Sequence, residues 1–323
     1  MPFEPAREVA PGVLLIDTGY VRPHLAACYL VRGGQSAAVV ETGNAQTVPR
    51  ILAAMEAAGV ARDALSHVIV THVHLDHAGG AGALMRELPR ARLVVHPRGA
   101  RHMVDPTKLW AGTVTVYGAE ATQRLYGDPI PVPADRVVEA PDGHRIDLGG
   151  RPLRFVDAPG HAKHHFVVVD EAIRGLFTGD TFGLSYRETD AAGRAFFFPS
   201  STPIQFDPPA LHATLDRLMA ERPERVFMTH YGAVAGDLSA HAAALHRGID
   251  EFVRIGQAAP PGPGRHAALK DGLTRYLLAG LRAHGAPTTE AEALEVYEND
   301  LELNAQGLAS WLDAGLIAKT PRG

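Results

Sequence analysis

The chain has 323 residues, 46% hydrophobic and 21% charged, with a formal net charge of -5 and basic residues scattered rather than blocked. That balance suits a globular chain with room for one α/β domain and a smaller appendage, and it argues against a protein that coats nucleic acid or sits on a membrane surface. A single cysteine, Cys28, excludes an intramolecular disulfide; it fits a reducing cytoplasm and is expected to pack in a strand.

The opening Met1-Pro2-Phe3-Glu4-Pro5 does not read as a signal peptide, and no apolar run is long enough to span a bilayer. The expected setting is cytoplasmic. The expected partner is a small-molecule substrate, with no nucleic acid or membrane and with a homodimer as an option. Runs rich in Val, Leu and Tyr predict strands over residues 13–18, 26–32 and 36–42, with Gly33-Gly34 as a hairpin turn. Val48, Ile51, Leu52 and Met55 share a face and predict a helix over 46–58, closed by Gly59.

Residues 66–71 form a compact apolar run, read as a buried strand. At its carboxyl end stands Thr71-His72-Val73-His74-Leu75-Asp76-His77-Ala78-Gly79-Gly80. Three imidazoles and a carboxylate so close together suit neither a core nor a solvated face. They suit a cation. His72 and His74, two apart in extended chain, face the same way and can share one metal. Asp76 and His77 follow after the chain turns, which points to a second, adjacent position.

Further on, 92–96 reads as a strand and 98–133 as mixed, helix-compatible sequence that serves as an insertion or lid. Strand patterns return at 136–139, 145–148, 153–157, 166–170 and 173–178. A helix is expected over 208–220 and a last strand over 225–229. Four strands thus run into a histidine or aspartate: the cluster itself, His161, Asp180 and His230. After Gly236 the composition turns to Ala, Leu, Glu and Arg, with helices expected over 239–255, 265–283, 289–297 and 301–314. The boundary is placed there, giving domains 1–236 and 237–323.

The set His72-x-His74-x-Asp76-His77, then His161, Asp180 and His230, resembles in order and spacing the metallo-β-lactamase-fold hydrolases, over roughly residues 13–232. The resemblance implies an α/β fold, a four-layer αββα sandwich, here with a C-terminal helical extension. It implies that His72, His74 and His161 bind one metal, that Asp76, His77 and His230 bind a second, and that Asp180 bridges them. Two divalent ions are expected, zinc first; imidazole and carboxylate also suit iron or manganese, and the absence of thiolate gives no bias to zinc. The implied enzyme is a dinuclear metal-dependent hydrolase in which a metal-bridging hydroxide attacks a small ester, thioester or lactone, with Asp76 as the catalytic carboxylate.

Around this set, Glu41 stands where many relatives carry Asp, and His165 where many carry a second histidine near the metals. Tyr186, Arg187 and Tyr231 are candidate substrate contacts. His96, His102 and His144 read as surface or loop residues. The run Phe196-Phe197-Phe198 either walls a pocket or anchors a long loop, the second being the commoner role. Arg254, Arg265, Lys270 and Arg275 either meet an anionic substrate or are simply solvated. The layout resembles glyoxalase II. However, the stretch after Asp180 lacks the Cys-Gly-Arg frequent there, and Gly183 stands where a lactonase carries tyrosine. The alternative is an iron-dependent sulfur dioxygenase of the persulfide dioxygenase kind on the same fold.

Overall fold

A computed structural model describes residues 6–201 and 204–319. They fall into two compact units. The first holds the chain up to Asp157, His164–Gly179 and Pro223–Gly236; the second holds Ala158–Lys163, Asp180–Arg222 and the chain from Asp237 on.

Among the described residues, every strand lies in the first unit. A seven-stranded sheet runs in simple order through β1 (Arg7–Ala10), β2 (Val13–Asp17), β3 (Ala27–Gly33), β4 (Ser36–Val40), β5 (Leu65–Ile69), β6 (Arg92–Val95) and β7 (Val137–Glu139). The first four are antiparallel; β4 to β7 are parallel. Parallel neighbours need crossovers. α1 (Val48–Ala57) supplies the first. α2 (Leu75–Ala78) and α3 (Ala81–Glu87) supply the second, and α4 (Pro97–Val104), α5 (Thr107–Tyr117) and α6 (Ala119–Tyr126) the third. The mixed segment after residue 98 is therefore helical. β1 was not anticipated: it is a short edge strand whose Arg7 and Glu8 are exposed, so no apolar pattern marks it.

The second sheet has the order β13-β12-β11-β10-β9-β8, with β8 (Arg145–Asp147), β9 (Pro152–Asp157), β10 (Phe166–Asp170), β11 (Gly175–Gly179), β12 (Arg225–Met228) and β13 (Gly232–Ala235). β13 follows what was expected to be the last strand; its Gly-Ala-Val-Ala carries almost no β signal.

β3 shows why two sheets form. Its residues are nearly all buried, so both its faces are covered. Cys28 and Leu30 join a cluster with Ile51, Met55, Leu84 and Met85 from α1 and α3. Tyr29, on the opposite face, meets Phe177 and Phe227 of the second sheet edge-on, and its hydroxyl donates to the Met228 carbonyl at 2.5 Å. Cys28 is fully buried, which pushes its thiol well above the usual range. It packs in a strand, as expected.

The second unit is built on α7 (Pro208–Ala220), α8 (Leu238–Ala258), α9 (Arg265–His284) and α10 (Glu290–Lys319). Two helices were expected over 289–314, but one continuous helix runs through. The intended break, Glu298-Asn299-Asp300, has neither Pro nor Gly, and the buried stripe Ala293, Tyr297, Leu301, Ala305, Leu308 crosses it without losing phase. The stretch 158–163 and the long loop after Asp180 pack with these helices.

Candidate metal centre

Three strands of the second sheet point the same way. β9 and β11 are each antiparallel to β10, and β12 is parallel to β11. Their carboxyl ends therefore share one edge, and the chain leaving each soon reaches His161, Asp180 or His230. The same edge meets the loop after β5, because Phe166 N–H donates to the Thr71 carbonyl at 3.0 Å. Topology alone thus explains why the residues singled out in sequence follow strand ends.

Within the first unit, Asp76, His77 and His230 each offer a ligand atom within 4.8 Å of the others. His230 Nε2 is 3.3 Å from Asp76 Oδ2, and His77 Nε2 is 3.6 Å from the same oxygen. The far nitrogens are also engaged. His230 Nδ1 lies 2.9 Å from the Leu25 carbonyl, and His77 Nδ1 lies 3.3 Å from Glu41 Oε2. The Leu25 carbonyl can only accept, so His230 Nδ1 carries the proton, and the Glu41 carboxylate beside His77 Nδ1 favours the same tautomer there. In a neutral ring, Nε2 is then a lone pair. Two lone pairs converge on a carboxylate oxygen, an arrangement that calls for positive charge between them. The donor set therefore fits a cation, with His77 and His230 each oriented from behind as metal-binding histidines are.

His72 and His74 lie beside this group. His72 Nε2 is 2.9 Å from His74 Nδ1, and the His72 and His77 rings are 4.0 Å apart. His72 and His77 are fully buried. The loop that carries them is held by Glu41, whose Oε1 accepts from Thr71 N–H at 3.1 Å. Glu41 thus touches both ends of the ligand run, even though its backbone sits at φ 65°. The extra methylene relative to Asp does not keep it from the loop. Thr42 Oγ1 adds a bond to the His77 carbonyl at 2.8 Å.

His165 is fully buried, with its ring 4.7 Å from that of His72. His164 is also buried near His72 and His74, and burial holds its pKa down at about 3, so it is neutral at physiological pH. Gly179, the last residue before Asp180, has φ 49°; a Cβ there would meet Thr71 Oγ1 at 2.4 Å and His165 Nε2 at 2.6 Å. Only glycine fits the exit of β11. His96 is a loop residue, between β6 and α4, and it is buried. Its Nδ1 accepts from Arg98 N–H to cap α4, and its Nε2 is 2.8 Å from Asp157. Tyr231 is buried with its ring 5.1 Å from that of His24.

In the second unit, His161 Nε2 is 3.5 Å from Asp180 Oδ2, and both side chains are buried. Ser200 Oγ stands 3.4 Å from His161 Nδ1. The turn before His161 is fixed by Gly160, whose carbonyl accepts from Asp207 N–H at 2.8 Å. A Cβ on Gly160 would strike the α7 backbone at Leu211. Tyr186 is fully buried and donates to Asp300 of α10 at 3.0 Å. Arg187 turns onto its own loop, toward Ser185 and Asp190. Phe198 packs against Phe252, Tyr276 and Tyr297, the anchoring role. Arg254, Arg265, Lys270 and Arg275 each pair with an acidic neighbour. Sequence reading missed Asn304, Ser200 and the Leu25 carbonyl; a backbone acceptor and lone polar residues carry no motif.

A metallo-beta-lactamase fold-containing protein of Sulfurisphaera tokodaii is 25% identical over 234 residues, 69% of this chain and 80% of its own length. A hydroxyacylglutathione hydrolase of Cupriavidus taiwanensis is 30% identical over 263 residues, 80% of this chain and 75% of its own. Among solved structures, a metallo-beta-lactamase family protein of Thermus thermophilus matches with a TM-score of 0.62 at 19% identity, covering 95% of each chain, which speaks for the fold. Among the described residues, no helix is long and apolar enough to cross a membrane. A profile of the metallo-beta-lactamase superfamily matches residues 21–230, and with the two sheets, the helices and the histidines and aspartates that follow the strand ends, the chain belongs to that superfamily.

Proposed function

We propose that the chain is a hydrolase working with two divalent cations. His72, His74 and His161 would hold one, Asp76, His77 and His230 the other, and Asp180 would be shared. The observation that carries this reading is the convergence of the His77 and His230 lone pairs on Asp76 Oδ2, each ring backed by a carbonyl or carboxylate acceptor. Imidazole and carboxylate donors suit zinc first, and iron or manganese as well.

Cations in such a site acidify a water and stabilise the oxyanion that forms when it attacks. This chain's residues do the positioning. Asp76 is the open member of its group, its side chain 22% exposed against 0% for His77 and 6% for His230. It would orient the attacking water and take its proton. Glu41 holds the loop that presents it. The reaction adds the water oxygen to an acyl carbon and breaks the bond to the leaving oxygen or sulfur, which receives a proton. A small ester, thioester or lactone meets that description. Similarity to hydroxyacylglutathione hydrolases over most of the chain favours a thioester.

The test is metal analysis of the purified protein together with a screen of thioesters, lactones and phosphodiesters. About two equivalents of metal per chain are expected in the residues named, with thioester hydrolysis. Asp180→Ala should reduce both. Metal content and activity unchanged in that variant would refute the assignment. Oxygen uptake on glutathione persulfide by an iron-loaded protein, without hydrolysis, would replace it with sulfur oxidation.

A further inference from the structure

α7 and α8 carry the same spacing of histidine and aspartate: His212 and Asp216 on one, His246 and Asp250 on the other. Residues four apart share a helix face. The pairs are crossed. His212 Nε2 lies 3.2 Å from Asp250 Oδ1, and His246 Nε2 lies 3.2 Å from Asp216 Oδ1. The helices therefore run antiparallel here, and the four side chains repeat with a two-fold pattern. Between them the imidazole rings meet edge to edge, 3° from parallel with centroids 4.9 Å apart, and the two Nδ1 atoms face each other at 2.6 Å.

The proton count follows from the partners. A carboxylate 3.2 Å from each Nε2 draws the hydrogen to that nitrogen. Each neutral ring then presents a lone pair at Nδ1, and two lone pairs at that distance repel. The centre needs a positive charge, either a proton or a metal ion. The surroundings favour the metal. Each ring offers one nitrogen inward and gives the other to a carboxylate, the outer-shell arrangement of metal-binding histidines. Both rings stand on helices, of 13 and 21 residues, rather than on loops. Their side chains are 28% exposed, so an ion can enter and water can complete its shell. Tetrahedral zinc with nitrogens at 2.0–2.1 Å places two ligands about 3.4 Å apart, so the rings need to separate by roughly 0.8 Å, a small side-chain rotation.

We propose that His212 and His246 form a second metal site, for one divalent cation of the zinc class, with Asp216 and Asp250 orienting the rings and water filling the remaining positions. It uses none of the residues assigned to hydrolysis, so either reading can fail alone.

The experiment compares zinc uptake by the metal-stripped chain and by the double variant His212→Ala/His246→Ala, using equilibrium dialysis with metal analysis. The wild-type chain should bind one more equivalent than the variant, and the Asp180→Ala chain should keep that equivalent. Asp216→Asn/Asp250→Asn should weaken it about 10- to 100-fold. Wild-type crystals soaked in zinc should show an anomalous peak about 2.0–2.1 Å from both Nδ1 atoms; this measurement does not depend on any variant folding. Equal stoichiometry in wild type and double variant, or no peak between the rings, would overturn the site and leave a shared proton in its place.

Discussion

Glu41 holds a backbone conformation that side-chain-bearing residues seldom adopt, at φ 65°. Such a position persists only where its surroundings fix it. Here one carboxylate oxygen takes the Thr71 N–H, and the other faces His77 Nδ1. The residue thus holds the 71–77 loop at both ends and places its charge behind His77. Glu41→Ala should cost about 1–3 kcal/mol from the Thr71 N–H left buried without its acceptor. Glu41→Gln keeps an oxygen for Thr71 but removes the charge behind His77. It should fold nearly normally and bind metal about 10- to 100-fold more weakly. Chemical denaturation and metal titration of the two variants separate these effects; a Gln variant with wild-type metal affinity would show that Glu41 is only structural. Gly179 belongs to the same argument. Gly179→Ala forces a left-handed residue to carry a Cβ into Thr71 and His165, and should lose about 2–4 kcal/mol in a denaturation midpoint series.

At the scale of elements, the loop after Asp180 is the informative part. It is fastened to α10 by Asn304, whose Oδ1 accepts from Ser201 N–H at 2.6 Å and whose Nδ2 donates to the Pro199 carbonyl at 3.4 Å, and by the Tyr186–Asp300 bond. Asn304→Ala should destabilise the chain by about 1–3 kcal/mol, because the Ser201 N–H is buried. A loop that lines the proposed substrate site would make this variant raise KM more than it lowers kcat; an unchanged KM would mean the loop does not shape that site. None of this was legible in sequence. Tyr186 and Arg187 stood out as ligand contacts because of their chemistry, yet their polar atoms are spent on Asp300, Ser185 and Asp190. By contrast, the strands other than β1 and β13, and His72 to His77, were legible. An apolar run that ends in four ligands is a local signal, whereas Asn304 acquires meaning only when α10 packs. The unbroken α10 was missed for a related reason: Asn299 and Asp300 look like a break until Asp300 is seen facing Tyr186.

At the scale of the molecule, the proposed ligands are spread along the chain from His72 to His230, on loops that follow separate strands. The strands pack through apolar side chains such as Leu30, Tyr29 and Phe227 and need no metal to do so. The ligand loops are different. In the first unit they bring Asp76 and the imidazoles of His77 and His230 together at buried positions, where two lone pairs on one carboxylate oxygen repel unless a cation is present. Metal should therefore stabilise the folded chain by mass action, by about 2.7 kcal/mol when free zinc is a hundred times its Kd. For a chain of this size that is a rise in Tm of several degrees. Chelation should lower the thermal midpoint and added zinc should restore it. Asp76→Asn should lose most of that response, because the carboxylate on which His77 and His230 converge is gone. His212→Ala/His246→Ala should keep most of it, because its rings are partly open to water and held by helices that pack on their own apolar faces. A midpoint indifferent to chelation in the wild-type chain, with metal confirmed absent, would show that the buried imidazoles are satisfied by protons alone.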